Sequence, residues 1–292
     1  MKKLILTVIL GCTVSFAHAH TIDLQTGYVG SSKFDKAHVR ANAALTLNVQ
    51  AGLEVAYANE HHNFKNPVYS LATPLLLDFD LLKLRVRPFY YFKNKSGIPG
   101  IQSSSAFGVQ SALITTLNED TANDIYTYAT LGAAFARQEG TVFYKQDPAD
   151  NRYYNQVAYS LELEQSMYRA FNFRLTGNVF QYPDGISKVA GLYSVMDQQS
   201  LADTQTLDLV HQLAKYTVGL RAARMWADNG SALFVSYRYG EYYTAESEHS
   251  VMVGNVFPVS KQVSADIAYN HVRDVHNHNR RDIVQARLEV AF

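Results

Sequence analysis

From Ile22 to Phe292 the chain keeps returning to one pattern, an apolar residue at every second position with a polar or small residue between. The last stretch is the clearest case. Val284, Ala286, Leu288, Val290 and Phe292 share one parity, and Gln285, Arg287 and Glu289 share the other. Successive side chains of a strand point to opposite faces, so a period of two builds a strand with one apolar and one wet face and fits a helix poorly. After the first twenty positions there is no run of about twenty apolar residues, and mean hydropathy is only -0.15. A protein that spans a membrane on helices is thereby excluded.

Residues 1–19 read as a removable export signal: Lys2 and Lys3, an apolar run from Leu4 to Phe16, then Ala17-His18-Ala19 as a small-residue cleavage site. Cys12, the one cysteine, lies inside this segment, so a chain cut after Ala19 has no disulfide or thiol chemistry. Ile9-Leu10-Gly11-Cys12 also has the form of a lipoprotein processing box, but the apolar run before the cysteine is short and continues past it. Lys+Arg and Asp+Glu both total 26, and this balance gives no basis for a nucleic-acid partner. Tyr 20 and Phe 15 make the chain aromatic-rich. An exported, aromatic-rich chain of modest hydropathy that alternates throughout meets the needs of a wall with one face in lipid and the other in water.

Taken in order, the alternation marks fourteen strands. They lie near residues 22–28, 38–47, 53–58, 68–77, 82–90, 104–117, 124–137, 156–164, 171–179, 215–222, 233–240, 251–258, 263–270 and 282–292, and the faces of the seventh are ambiguous. Short turns fall near 49, 79, 120, 167, 228 and 260, and longer polar loops near 33, 63, 97, 145, 198, 246 and 277. Residues 182–214 break the rhythm with Pro183-Asp184-Gly185, a possible short strand and a capped short helix after Ser200. They form one long loop that either folds into the lumen or projects outward. The strand count is even, so the first strand can pair with the last and leave no backbone edge in lipid. The expected architecture is all-β: residues 20–292 as a single transmembrane antiparallel up-and-down barrel with short periplasmic turns and longer extracellular loops. The strands take up nearly all of this length, which leaves no plug or periplasmic domain.

Placing the polar parity inward puts Arg40, Lys83, Arg85, Arg87, Arg174, Lys215, Arg221, Arg238 and Arg287 in the lumen, against Asp23, Glu54, Glu162, Glu164, Asp266 and Glu289. The opposite assignment fails because an Arg or Lys at the lipid midplane costs about 2–4 kcal/mol. Small residues such as Ala56, Ala158, Ser160, Gly219 and Ser236 sit between these charges. A small, polar interior packs poorly when dry, so water is its expected filling. Lys83, Arg85 and Arg87 form a basic ladder on one strand, and Arg174, Arg221 and Arg238 lie on three successive strands. Such charges draw anions into a wet channel, unless they are consumed in pairs with Glu54, Glu162, Glu164 or Glu289.

The terminal Val284, Ala286, Leu288, Val290 and Phe292, with Tyr57, Tyr90, Phe171, Phe257 and Tyr269 near strand ends, give the chain a resemblance to bacterial outer-membrane β-barrels. It looks most like the small monomeric porins of about fourteen strands. That resemblance implies residence in the outer membrane among its lipids and delivery to the assembly machinery through the strand ending at Phe292. It also implies passive diffusion of small hydrophilic solutes, with no cofactor and no catalysis, and the nine inward basic groups against six acidic ones add a weak anion bias. Two other functions compete. A lipid or lipopolysaccharide hydrolase would need a nucleophile and a base together, and Glu248-His249-Ser250 is the nearest approach, although neighbours on a strand point to opposite faces. A barrel for export or assembly of surface proteins would usually carry a recruiting domain. His271, His276 and His278 cluster with Asp274, and His61-His62 lies in another loop, but solvated loop histidines explain both groups and no metal site is assigned.

Overall fold

The computed structural model describes residues 21–32, 34–60, 67–95, 101–142, 150–168, 170–185, 213–226, 230–243, 246–276 and 279–292. The expected export signal, His61-His62, His278 and the interior of the 182–214 loop lie outside these residues. The described chain is a single antiparallel sheet: β1 Ile22–Gly30, β2 Phe34–Thr46, β3 Val49–Glu60, β4 Val68–Ala72, β5 Leu75–Phe79, β6 Leu82–Lys95, β7 Ile101–Asp120, β8 Ile125–Val142, β9 Asp150–Met167, β10 Phe171–Gln181, β11 Ala214–Met225, β12 Ala232–Tyr242, β13 Glu248–Pro258, β14 Val263–Asp274 and β15 Arg280–Ala291.

Apart from β4 and β5, each strand pairs with its neighbours in sequence, and β1 pairs with β15 from Asp23 opposite Ala291 to Gly30 opposite Val284. The sheet therefore closes on itself. Ile22 and Phe292 exchange backbone bonds at the seam, with the Phe292 N–H donating to the Ile22 carbonyl at 2.8 Å. β4 and β5 both lie between β3 and β6, as two halves of one wall strand, so the barrel has fourteen positions. Prolines cause the interruption. Pro74 and Pro88 have no N–H to donate, and what remains is Gly52 N–H to the Pro74 carbonyl at 2.7 Å and Thr73 N–H to the Pro88 carbonyl at 3.1 Å.

Connections alternate as the strand count requires, with turns at the end that holds both termini and mostly longer links at the other, although the β1–β2 link spans only residues 31–33. Asp120 shapes one short turn by accepting the backbone N–H groups of Ala122 and Asn123. Gly230, at φ 88, takes a backbone conformation in the β11–β12 turn that a residue with a Cβ resists. β7, β8 and β9 run for 20, 18 and 18 residues. Eighteen residues at ~3.3 Å each and a ~40° tilt rise about 45 Å, well past the ~25 Å apolar band. These strands project beyond the membrane.

Outward positions between the two rims carry no charge among the described residues: Leu131 and Phe135 on β8, Leu161 and Leu163 on β9, Val218 and Leu220 on β11, Val251 and Val253 on β13 are all exposed. This settles β8, whose faces the sequence left ambiguous: Leu131 and Phe135 face lipid, and Ala136 and Gln138 face the lumen. Outward charge appears at the ends instead, as with Arg137 over the Tyr153 ring and Arg224 over the Phe171 ring. Trp226 caps β11 on the lipid side at the turn end and donates its indole N–H to Asn255 at 3.2 Å.

Two predictions follow from this wall. In a Cys12-free background, Gln25→Cys with Glu289→Cys forms an intramolecular disulfide in the folded protein, while Gln25→Cys with Gln285→Cys does not; the reverse result would move the seam register. Trp226 fluorescence in vesicles is quenched more by lipids brominated near the headgroup than by lipids brominated at the chain ends, and equal quenching would displace it from the interface.

Candidate functional site

Alternation along each strand sends one residue in two into the barrel, and most of the inward polar side chains meet one another. Glu54 on β3 is the centre of the main cluster. Its buried carboxylate takes Arg40 of β2 at 2.7 Å through one oxygen and Arg87 of β6 at 2.6 Å through the other. Arg87 also donates to Gln110 on β7 at 3.2 Å, so one carboxylate ties together β2, β3, β6 and β7 across the β4–β5 position. On the other side of the barrel Arg174 pairs with Glu164 at 2.9 Å and Glu162 at 3.6 Å, and Asn172 donates to Glu164 at 2.7 Å. Arg287 pairs with Asp266 at 2.5 Å, which joins β15 to β14. Nearer the loop end, Arg281 lies between Glu248 at 2.6 Å and Asp274 at 3.2 Å, and the Tyr242 hydroxyl donates to Glu248.

Most of the basic groups expected in the lumen are therefore partnered. Arg40, Arg87, Arg174 and Arg287 hold carboxylates, Lys83 holds Asp78 at 2.7 Å, and Arg238 donates to the Tyr242 hydroxyl at 3.4 Å. Lys215 is a correction. A register shift between Ala214 and Tyr216 places it on the exposed outer side of the loop rim, where it pairs with Glu241 at 2.7 Å and approaches the Tyr243 ring. Simple alternation misplaces it because a bulge adds a residue without changing the pattern on either side. Of the cations expected in the lumen, Arg85 and Arg221 form no ion pair among the described residues, and neither does Lys36, inward on β2. Arg85 is exposed toward the interior, and Arg221 lies over the Phe234 ring at 4.0 Å.

The interior is not uniform. A cavity of about 500 Å³ occupies part of it, and Arg40, Arg85, Arg87, Glu162, Glu164 and Arg174 are on its lining with Tyr128, Thr130 and Asn178. Toward the loop end the inward faces change character. Phe89, Tyr91, Phe180, Ala214, Tyr242, Val272 and Ile283 belong to one buried apolar cluster that passes from strand to strand around the inner wall. Tyr182 packs against it, receives Gln156 on its hydroxyl and donates to the Ala214 carbonyl at 3.0 Å. A small, polar interior holds for most of the turn-side half, where a second buried apolar cluster of Phe234, Met252 and Ala268 is the exception. The loop-side half instead carries large apolar residues inward, which the polar parity hid because Phe89, Tyr91 and Phe180 continue the same parity as Arg87 and Arg174.

The geometry of these walls matches known barrels. No protein-family model matches the sequence, and no curated protein matches it. Among solved structures, CdiB from Acinetobacter baumannii superposes with a TM-score of 0.56 at 8% identity, covering 93% of this chain and 60% of that one. OccAB1 of Acinetobacter baumannii superposes at 0.51 with 10% identity, over 95% of this chain and 99% of that one. The KdgM porin lies further off, at 0.44 and 6% identity, over 92% and 99%. The fold is that of the outer-membrane β-barrels.

The remaining sequence candidates separate. His249 faces outward against Tyr237 and Tyr239, while Ser250 faces inward and is buried, donating to Asn270 at 2.6 Å. The two side chains lie on opposite faces and make no dyad. His271 also faces outward and bonds Asp282 at 2.8 Å, beside Tyr269. Among the described residues no group of three or more His, Cys, Asp or Glu side chains is arranged to hold a metal ion, and His276 joins none.

The Glu54 clamp gives a direct stability test. Glu54→Gln leaves Arg40 and Arg87 without their shared countercharge, and removing one partner of a buried pair costs about 3 kcal/mol or more. Lys83→Ala breaks a more exposed pair and costs less than about 1 kcal/mol. Guanidinium unfolding of barrels folded into lipid vesicles checks both, and equal midpoints for the two variants would contradict the clamp.

Proposed function

We propose that this protein is an outer-membrane channel through which small hydrophilic solutes diffuse passively, with a weak preference for anions. The observation that carries this reading is the cavity inside the closed barrel, lined by Arg40, Arg85, Arg87, Arg174, Glu162 and Glu164. A lumen walled by charged and hydrogen-bonding groups lowers the cost of moving a hydrated solute through the membrane, because these groups replace part of the lost hydration. No covalent step enters this mechanism. The likeness of the fold to outer-membrane barrels supports the location. Residues 1–19 would deliver the chain to the export pathway, and the strand ending at Phe292 would present it to the assembly machinery.

The anion preference is weak because pairing cancels most of the basic excess. Salt-bridged arginines shape the wall and contribute little net field, which leaves Arg85, Arg221 and Lys36 as its sources. The buried apolar cluster at the loop side narrows the path and favours small solutes. A hydrolase reading loses its support with His249 and Ser250 on opposite faces of the wall.

Purified, folded protein in planar bilayers should produce discrete openings of low conductance, and a folded preparation without openings would refute the channel. In a potassium chloride gradient the reversal potential should indicate a chloride-to-potassium permeability ratio modestly above one. Arg85→Gln combined with Arg221→Gln should bring that ratio to one or below. An unchanged ratio in the double variant would place the selectivity elsewhere.

A further inference from the structure

Arg174 on β10 and Arg221 on β11 are direct cross-strand partners, and both point into the lumen. Like charges opposed on one face of a sheet repel, so a barrel keeps such a pair only if something answers both charges. Glu164 and Glu162 answer Arg174. Arg221 has no carboxylate partner among the described residues, and its Nε makes no hydrogen bond. The acidic groups that act on it from a distance, Asp266 and Glu164, already hold Arg287 and Arg174.

What fixes Arg221 is an aromatic ring. Its guanidinium lies 4.0 Å over Phe234, which is buried against Met252 and Ala268. Gly254, directly opposite Phe234 on β13, makes the room: a Cβ there would fall 2.3 Å from the ring. Stacking occupies one face of the guanidinium and Nε is buried, which leaves the terminal N–H groups to form the fork that fits a planar or tetrahedral oxyanion. Arg221 is partly exposed, and its neighbour Arg174 lines the cavity. The result is a held, desolvated and uncompensated cation beside the route a solute would take.

We propose that Arg221, with Arg174 beside it, anchors a binding site in the lumen for a small oxyanion, a carboxylate or a phosphate group. This rests on the channel reading and gives its anion preference a location. A bound oxyanion removes the repulsion between the two arginines, so occupancy stabilises the fold, and a neutral residue at 221 removes both the repulsion and the site.

The test uses full-length folded protein in detergent, with thermal unfolding followed as inorganic phosphate replaces chloride at constant ionic strength, and again with acetate. Phosphate stabilises most proteins by exclusion from their surface, and that rise does not saturate. Above it, the wild type should show a saturable rise in Tm. Arg221→Gln should unfold no earlier than wild type in chloride and lose the saturable part. Arg85→Gln should keep it, and Arg221→Lys should shift its midpoint to an anion concentration on the order of tenfold higher, since a lysine offers a point charge without the fork. A saturable rise that survives Arg221→Gln, that disappears with Arg85→Gln, or that is absent from wild type overturns the site. Planar-bilayer recordings on the same preparations separate the two readings. Saturable binding in a silent barrel refutes the channel alone, and conduction without saturable binding refutes the oxyanion site alone.

Discussion

In hydrocarbon there is no water to satisfy a backbone N–H or C=O, and every other property of this chain depends on how that constraint is met. An open sheet would leave two edges in lipid at several kcal/mol for each unpaired group. The seam between β1 and β15, carried through to backbone bonds between Ile22 and Phe292, removes both edges. Closure then sets everything inside. Fourteen wall positions fix an inner surface to which each strand contributes every second side chain.

Charge inside the barrel serves the wall before it serves transport. Glu54 draws together Arg40 and Arg87 from β2 and β6, Arg174 and Arg287 bind carboxylates of the adjacent strand, and Arg281 binds Asp274 of the adjacent strand and Glu248 one strand further. These pairs bridge strands from the lumen side while lipid contacts hold the other face. They also subtract from the field a passing ion would meet. A count of arginines therefore overstates selectivity, and the cations left over matter more than those in the majority. Arg221 is held by stacking on Phe234 where its neighbours are held by carboxylates.

Much of this was legible before any coordinates. The alternation gave the strand count, the six turns and seven loops, the pairing of first strand with last, and the lipid face, because a period of two leaves a strand no choice about which residues share a side. Three features were not legible for physical reasons. The break at Thr73–Pro74 depends on Pro88 lying across from it, the bulge that turns Lys215 outward adds a residue without altering the pattern, and the inward aromatics Phe89, Tyr91 and Phe180 keep the parity of the charges beneath them.

Sequence by itself determined that this chain forms a closed barrel in a membrane and, apart from Lys215 and the faces of β8, which side chains face inward, since both follow from local periodicity and from the cost of charge and bare backbone in lipid. Which inward groups meet was decided only by the tertiary structure. Cross-strand register joins Glu54 to two arginines, opposes Arg174 to Arg221, and opens at Gly254 the space that seats Phe234 beneath Arg221. Those contacts join residues far apart along the chain, and no local pattern carries their register.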